Sequence, residues 1–81
     1  MEDFPKLSGS QVAILRAESS TGHVYDIEYF LATSTNQKVY AVFDNKEMAF
    51  RYIHEIAKLR KGFEYIVYDK DQKVIEVLTP E

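Results

Sequence analysis

Only one stretch of this chain, Phe43 to Phe63, has the spacing and punctuation of an α-helix, whereas every other apolar segment has the pattern of a strand. A single helix must therefore cover a whole sheet. Asp44, followed three residues later by Glu47, forms a capping box in which the Asp44 carboxylate accepts from backbone N–H groups lacking intrahelical partners. Phe43 and Met48 complete it as a hydrophobic staple. Met48, Ala49, Tyr52, Ile53, Ile56, Ala57 and Leu59 recur at helical spacing as one apolar stripe. Lys58, Arg60 and Lys61 bring positive charge to the last turn, and Gly62 supplies the left-handed residue that ends a helix. The helix is expected over about 45–61.

The remaining apolar segments divide into five strands. Residues 11–18 are partly β-branched and precede the turn-prone Ser19-Ser20-Thr21-Gly22, which makes them the first strand, with a short helix as the alternative. From Val24 to Thr33 the alternation sets Tyr25, Ile27, Tyr29 and Leu31 on one face and Val24, Asp26, Glu28 and Phe30 on the other. Ser34 to Gln37 makes a polar loop, and Lys38 to Phe43 forms the third strand. Phe63 to Tyr68 and Lys73 to Leu78 are the last two, joined by Asp69-Lys70-Asp71-Gln72. The expected architecture is α+β, a mainly antiparallel four- to five-stranded sheet packed on one helix in the order β-β-β-α-β-β. Residues 1–81 form a single domain, with 1–9 and 79–81 as loose ends.

Width turns this layout into an expectation about function. Five strands at roughly 4.8 Å spacing span about 24 Å, and a helix is only about 10–12 Å across, so it covers two or three of them. Phe43 and Phe63 flank the helix and point to it, which places Val39, Ala41, Tyr65 and Val67 on the covered side by period two. The other side then carries Tyr40, Val42, Ile66 and Tyr68, with Phe30 from the second strand and Ile14 from the first. Arg16, Asp26, Glu28, Lys38, Glu64 and Glu76 surround these apolar groups, a composition resembling the core and rim of an interface. Phe50 lies at the margin of the helical stripe, where it either edges the core or anchors a partner. A curled sheet, or an N-terminal segment lying across it, would consume the same surface within one chain.

Chemistry is sparsely provided. There is no cysteine, which excludes disulfides, thiolate metal sites and a cysteine nucleophile. His23 and His54 stand apart, the serines fall in loops without a nucleophile elbow, and the three glycines are isolated, so no catalytic residue and no phosphate cradle is expected. Asp69-Lys70-Asp71 opens like a calcium loop, but Lys73 stands at a ligand position and no glutamate closes it. Neither metal nor cofactor is expected. The acidic N-terminus lacks a secretory pattern and no apolar run reaches membrane-spanning length, which makes a cytoplasmic location without membrane contact the expectation.

Charge weighs against nucleic acid. The net charge is −3, yet residues 46–61 hold five Lys/Arg against two Glu. Arg51, Lys58 and Lys61 are the candidate phosphate contacts on that basic helix, and acidic side chains on the open sheet face would repel a phosphate backbone from its aromatics. Glu47, Arg51 and Glu55 also stand at i,i+4 spacing, where ion pairs consume charge.

Phe43, Lys46-Glu47, Ala49, Ala57-Lys58, Glu64-Tyr65-Ile66-Val67-Tyr68-Asp69, Asp71-Gln72-Lys73 and Glu76 together resemble the second half of a family of small bacterial β-β-α-β domains of unknown function. The resemblance spans about residues 39–77. In that family the turn reads Asp-Gly-Lys; here Gln72 stands in the glycine's place, which implies a turn that closes differently. The resemblance implies no catalytic residue. The functional expectation is a non-enzymatic protein-interaction module of bacterial or phage type, an adaptor, regulator or inhibitor. It would self-associate as a homodimer or dock on a protein partner through Phe30, Tyr40, Val42, Ile66, Tyr68 and Phe50. A nucleic-acid binder is the alternative, and a cryptic enzyme the third.

Overall fold

The computed structural model describes residues 2–80 of the chain. Met1 and Glu81, both within the expected loose ends, lie outside the described residues. The elements are β1 (Val12–Glu18), β2 (Val24–Tyr25), β3 (Tyr40–Phe43), α1 (Lys46–Ala57), β4 (Phe63–Tyr68) and β5 (Val74–Leu78). All strand pairs are antiparallel, so the fold is α+β, a five-stranded antiparallel sheet with one helix. β1 is central: β4 pairs along one side of it, with β5 beyond. On its other side β3 pairs Val12 to Leu15, and β2 pairs Arg16 and Ala17. Tyr25 opposes Arg16 and Tyr40 opposes Leu15, so β2 and β3 form one edge line interrupted by residues 26–39.

That interruption corrects the expected second strand, which ends at Tyr25 instead of Thr33. The cause is Asp26. Its Oδ1 accepts from the backbone N–H groups of Glu28 and Phe30, both at 2.9 Å, and its Oδ2 accepts from the Gln37 side chain at 2.8 Å. A carboxylate that captures N–H groups two and four residues on turns the backbone in competition with a sheet ladder. Gln37 completes the loop by accepting from Thr33 and Ser34 N–H and donating to the Leu31 carbonyl. Leu31 then folds back to bridge Tyr25.

The helix forms where its periodicity places it, with shorter bounds. Asn45, not Asp44, is its N-cap: Asn45 is extended, and its side chain accepts from Met48 N–H at 2.9 Å. Both residue types cap well, and the cap moves one position because the Asp44 carbonyl is engaged by the Ser10 hydroxyl. At the other end α1 stops at Ala57, as Lys58 and Leu59 N–H tighten onto carbonyls three residues back. Gly62, at φ +85°, opens β4 instead of closing the helix. The buried stripe is Ala49, Ile53 and Ala57; Met48 and Leu59, expected in it, are exposed.

The core is Val12, Ile14, Ala49, Ile53, Tyr65 and Val67, edged by Ala41, Phe43, Phe50, Tyr52, Ile56, Phe63 and Leu78. Two expectations fail here. Ile14 and Arg16 belong to the helix side, not the open side, because Ile14 opposes Val67 and Arg16 opposes Tyr65. Parity along β1 could not be anchored, since no flanking residue ties that strand to the helix.

The N-terminal segment is not loose. Glu2 Oε1 accepts from the backbone N–H groups of Val39 at 2.9 Å and Tyr40 at 3.2 Å, and its carboxylate lies 3.8 Å from the Lys38 ammonium. Phe4 meets Tyr40 and Tyr68 edge-on, with centroids 5.2 and 5.6 Å away. Tyr40 and Tyr68 neighbour Leu15 and Ala13 in register, so this segment crosses the face opposite the helix where Ala13 and Leu15 are buried.

The β4–β5 turn closes around the Asp69 carboxylate, with Gln72 in the left-handed conformation. Asp69 Oδ1 accepts from Asp71 and Lys73 N–H, and Gln72 takes φ +61°. A side chain in the left-handed region costs about 1 kcal/mol. Gln72→Gly is expected to raise the melting temperature by about 4–8 °C for that gain in a domain of this size. An unchanged melt would show that the Gln72 backbone is unstrained.

Candidate docking surface

The surface left over by this packing is set by what the helix and the N-terminal segment fail to cover. The helix packs on β1, β3 and β4, and Phe4 packs edge-on against the touching Tyr40 and Tyr68 rings on the other side. β5 projects beyond both. Four of its five residues are exposed, including Val74 at 54%, Ile75 at 40% and Val77 at 47%. Among the described residues it pairs only with β4, so the backbone groups of its other edge face outward. The register sets Val77 beside Ile66 and Val74 beside Tyr68, which makes these four side chains one apolar strip at the β4–β5 end of the open face. Ile75 is the extra residue of a bulge, because Val67 opposes Glu76 while Tyr68 opposes Val74.

The residues expected at an interface are therefore divided. Ile66 and Tyr68 belong to the strip; Tyr40 and Val42 share the same face across β1, where the Tyr40 ring meets Tyr68 edge-on at 6.2 Å between centroids and Phe4 packs edge-on against both. Phe30 is exposed, but on the turn made by Asp26 and not on the sheet. Phe50 lies on the helix side, half-buried against the core, where it lines a shallow hollow with Ile53, His54, Leu78, Thr79 and Pro80. The sequence reading passed over Val74, Ile75 and Val77. A signal was available: a hairpin strand with apolar side chains on both faces, more than a sheet covered on one side by a single helix can bury.

The basic residues do not assemble. Arg51 and Lys58 are exposed on and just after the helix, Lys58 lies 3.4 Å from Glu55, and Lys61 falls in the turn beyond the helix end. The expected i,i+4 pairing of Arg51 with Glu47 or Glu55 is not among the ion pairs of the described residues. His23 and His54 are exposed. Among the described residues no cluster of three metal-ligating side chains occurs, and no helix is long and apolar enough to cross a membrane.

Two groups here titrate away from their ordinary values. Burial pushes the Tyr40 hydroxyl up, helped by Tyr68 and Glu2. The Asp26 carboxyl is lowered, first by the Phe30 N–H and then by Gln37, against the opposing effect of its burial. Because the folded value lies below the unfolded one, Asp26 contributes its stability above about pH 4 and loses it as pH falls through the folded value. Acidification below about pH 4 should release the 26–39 loop before the core unfolds, seen as loss of the distinct Glu28 and Phe30 amide resonances. Amides that hold their positions down to global unfolding would contradict this role for Asp26.

Compared with known proteins, the chain matches no family model, no curated protein and no solved structure.

Proposed function

We propose that this chain is a cytoplasmic, non-enzymatic protein-interaction module that joins a second copy of itself along β5. The observation that carries the reading is a strand exposed on both faces and unpaired along one edge. Strand addition at such an edge satisfies backbone groups through main-chain hydrogen bonds, while the flanking side chains set the register. Antiparallel pairing about a twofold axis between Val74 and Ile75 places Lys73 opposite Glu76 of the second copy, twice over. The strip of Ile66, Tyr68, Val74 and Val77 then continues across the twofold axis as one apolar band. A chain with no cysteine needs no oxidising compartment to hold this arrangement.

Light scattering at micromolar protein tests it. The expected result is twice the chain mass for the wild type and the monomer mass for Val77→Lys, whose melt should stay within about 0.5 kcal/mol of wild type because the site is exposed. A wild-type monomer throughout, or a Val77→Lys variant that keeps the doubled mass, would overturn the reading.

A further inference from the structure

Arg16 is the most unusual side chain in the molecule. It is fully buried, its Nη1 donates to the Tyr52 hydroxyl at 3.2 Å, and its Nε and Nη2 have no partner. No carboxylate of the described residues lies within ion-pair distance of it. Asp26 feels the Arg16 charge, but both Asp26 oxygens are committed to Glu28, Phe30 and Gln37. A guanidinium that cannot lose its charge ordinarily enters a protein interior with its donors paired. Arg16 is held instead by ring faces, its Cζ lying 4.8 Å from the Tyr29 centroid, 5.9 Å from Tyr52 and 6.0 Å from Tyr65.

The unpaired atoms are informative in themselves. Nε and Nη2 form the side-on fork of a guanidinium, the edge that takes two oxygens of one carboxylate or phosphate in parallel. The three tyrosines around the group carry hydroxyls. Tyr52 accepts from Nη1 and so keeps its own proton free, and the Tyr29 and Tyr65 hydroxyls lie 2.9 Å apart, one donating to the other and leaving a second proton free. Burial pushes the Tyr65 hydroxyl well up, which keeps it a donor.

Tyr29 closes this cluster. It is a non-glycine residue at φ +67°, on the turn that Asp26 holds, and the Arg60 guanidinium sits 4.5 Å from its ring centroid. One ring is thus bound to two cations and held in a backbone conformation that side chains rarely adopt. Such conformations concentrate at clamps and switch points.

We infer that Arg16, with the Tyr52 and Tyr65 hydroxyls, is a binding site for a small oxyanion of the carboxylate or phosphate class, gated by Tyr29. When Tyr29 swings out with its turn, the Nε–Nη2 fork opens to the anion, and Arg60 supplies the second positive charge at the mouth. This site is independent of β5.

The test titrates the protein with inorganic phosphate, sulfate or acetate against chloride at constant ionic strength. The readouts are the Arg16 Nε–H resonance and the melting temperature. The expected result is a saturable shift of that resonance at millimolar anion, with a raised melting temperature. Tyr29→Gly, which removes the gate and its strained backbone, should bind about tenfold more tightly. Arg16→Met should lose the anion effect; if it does not fold, the Nε–H resonance of Tyr29→Gly carries the test alone. Response to phosphate and sulfate alone assigns a tetrahedral anion, and response to acetate assigns a carboxylate. Anions that leave the Nε–H resonance unmoved in both wild type and Tyr29→Gly, or an anion effect preserved in Arg16→Met, would overturn the site.

Discussion

Ile53→Ala is expected to remove about 3–4 kcal/mol of stability, the usual cost of emptying a fully buried aliphatic site. Ile53 is 2% exposed on the core face of α1 and belongs to the same cluster as Ile14, Tyr65 and Val67. It is the point where the one helix meets the one sheet. Beneath it the sheet is held by β-ladder bonds and cannot collapse to fill the gap, so most of the cavity remains. A chain this size has a total stability of roughly 4–12 kcal/mol, which makes the loss a large fraction of the whole. Denaturant unfolding should show the midpoint shift without a change in slope. A loss under about 1 kcal/mol would mean that the helix is not the principal cover of this face.

The second large effect lies at the other layer. Phe4→Ala should cost about 2 kcal/mol, roughly half the usual value for a fully buried phenylalanine because the ring is only half-buried. Its two edge-on contacts with Tyr40 and Tyr68 add an increment that Leu at this position would not restore. The same substitution uncovers Ala13 and Leu15, so binding of an apolar dye should rise along with the loss of stability. A variant indistinguishable from wild type in both would return the N-terminal segment to the loose end that its composition suggests.

Much of this fold was legible because its elements carry strong periods. α1, β1, β4 and β5 were found within a few residues because their apolar spacing coincides with what packing requires. The faces of β3 and β4 followed from Phe43 and Phe63, which bracket the helix and inherit its side of the sheet. What escaped had physical reasons. Residues 24–33 alternate like a strand, but Asp26 takes the N–H groups the ladder would need, and alternation does not record that competition. An arginine in a strand reads as a solvent marker, and only the tyrosines from three distant segments make a buried Arg16 tenable. Phe4 is one aromatic in an aperiodic stretch, and its partners are more than thirty residues away in sequence.

The exposed apolar surface proposed for docking was legible in half. Ile66 and Tyr68 followed from period two, as did the shortage of cover that leaves them accessible. The face is narrower than expected because the N-terminal segment takes its centre, and its weight moves outward to β5, where Val74, Ile75 and Val77 are left with neither helix nor tail above them. Phe30 and Phe50 stand elsewhere because one rides a turn and the other the helix.

Hydrogen exchange followed as a function of protein concentration tests the β5 assignment most directly. Pairing with a second copy would protect alternate amides of Val74 to Leu78, those pointing away from β4, increasingly as concentration rises, while amides of β1 and α1 stay constant. Fast exchange at those outward amides at every concentration, with protection appearing at another surface instead, would contradict the account.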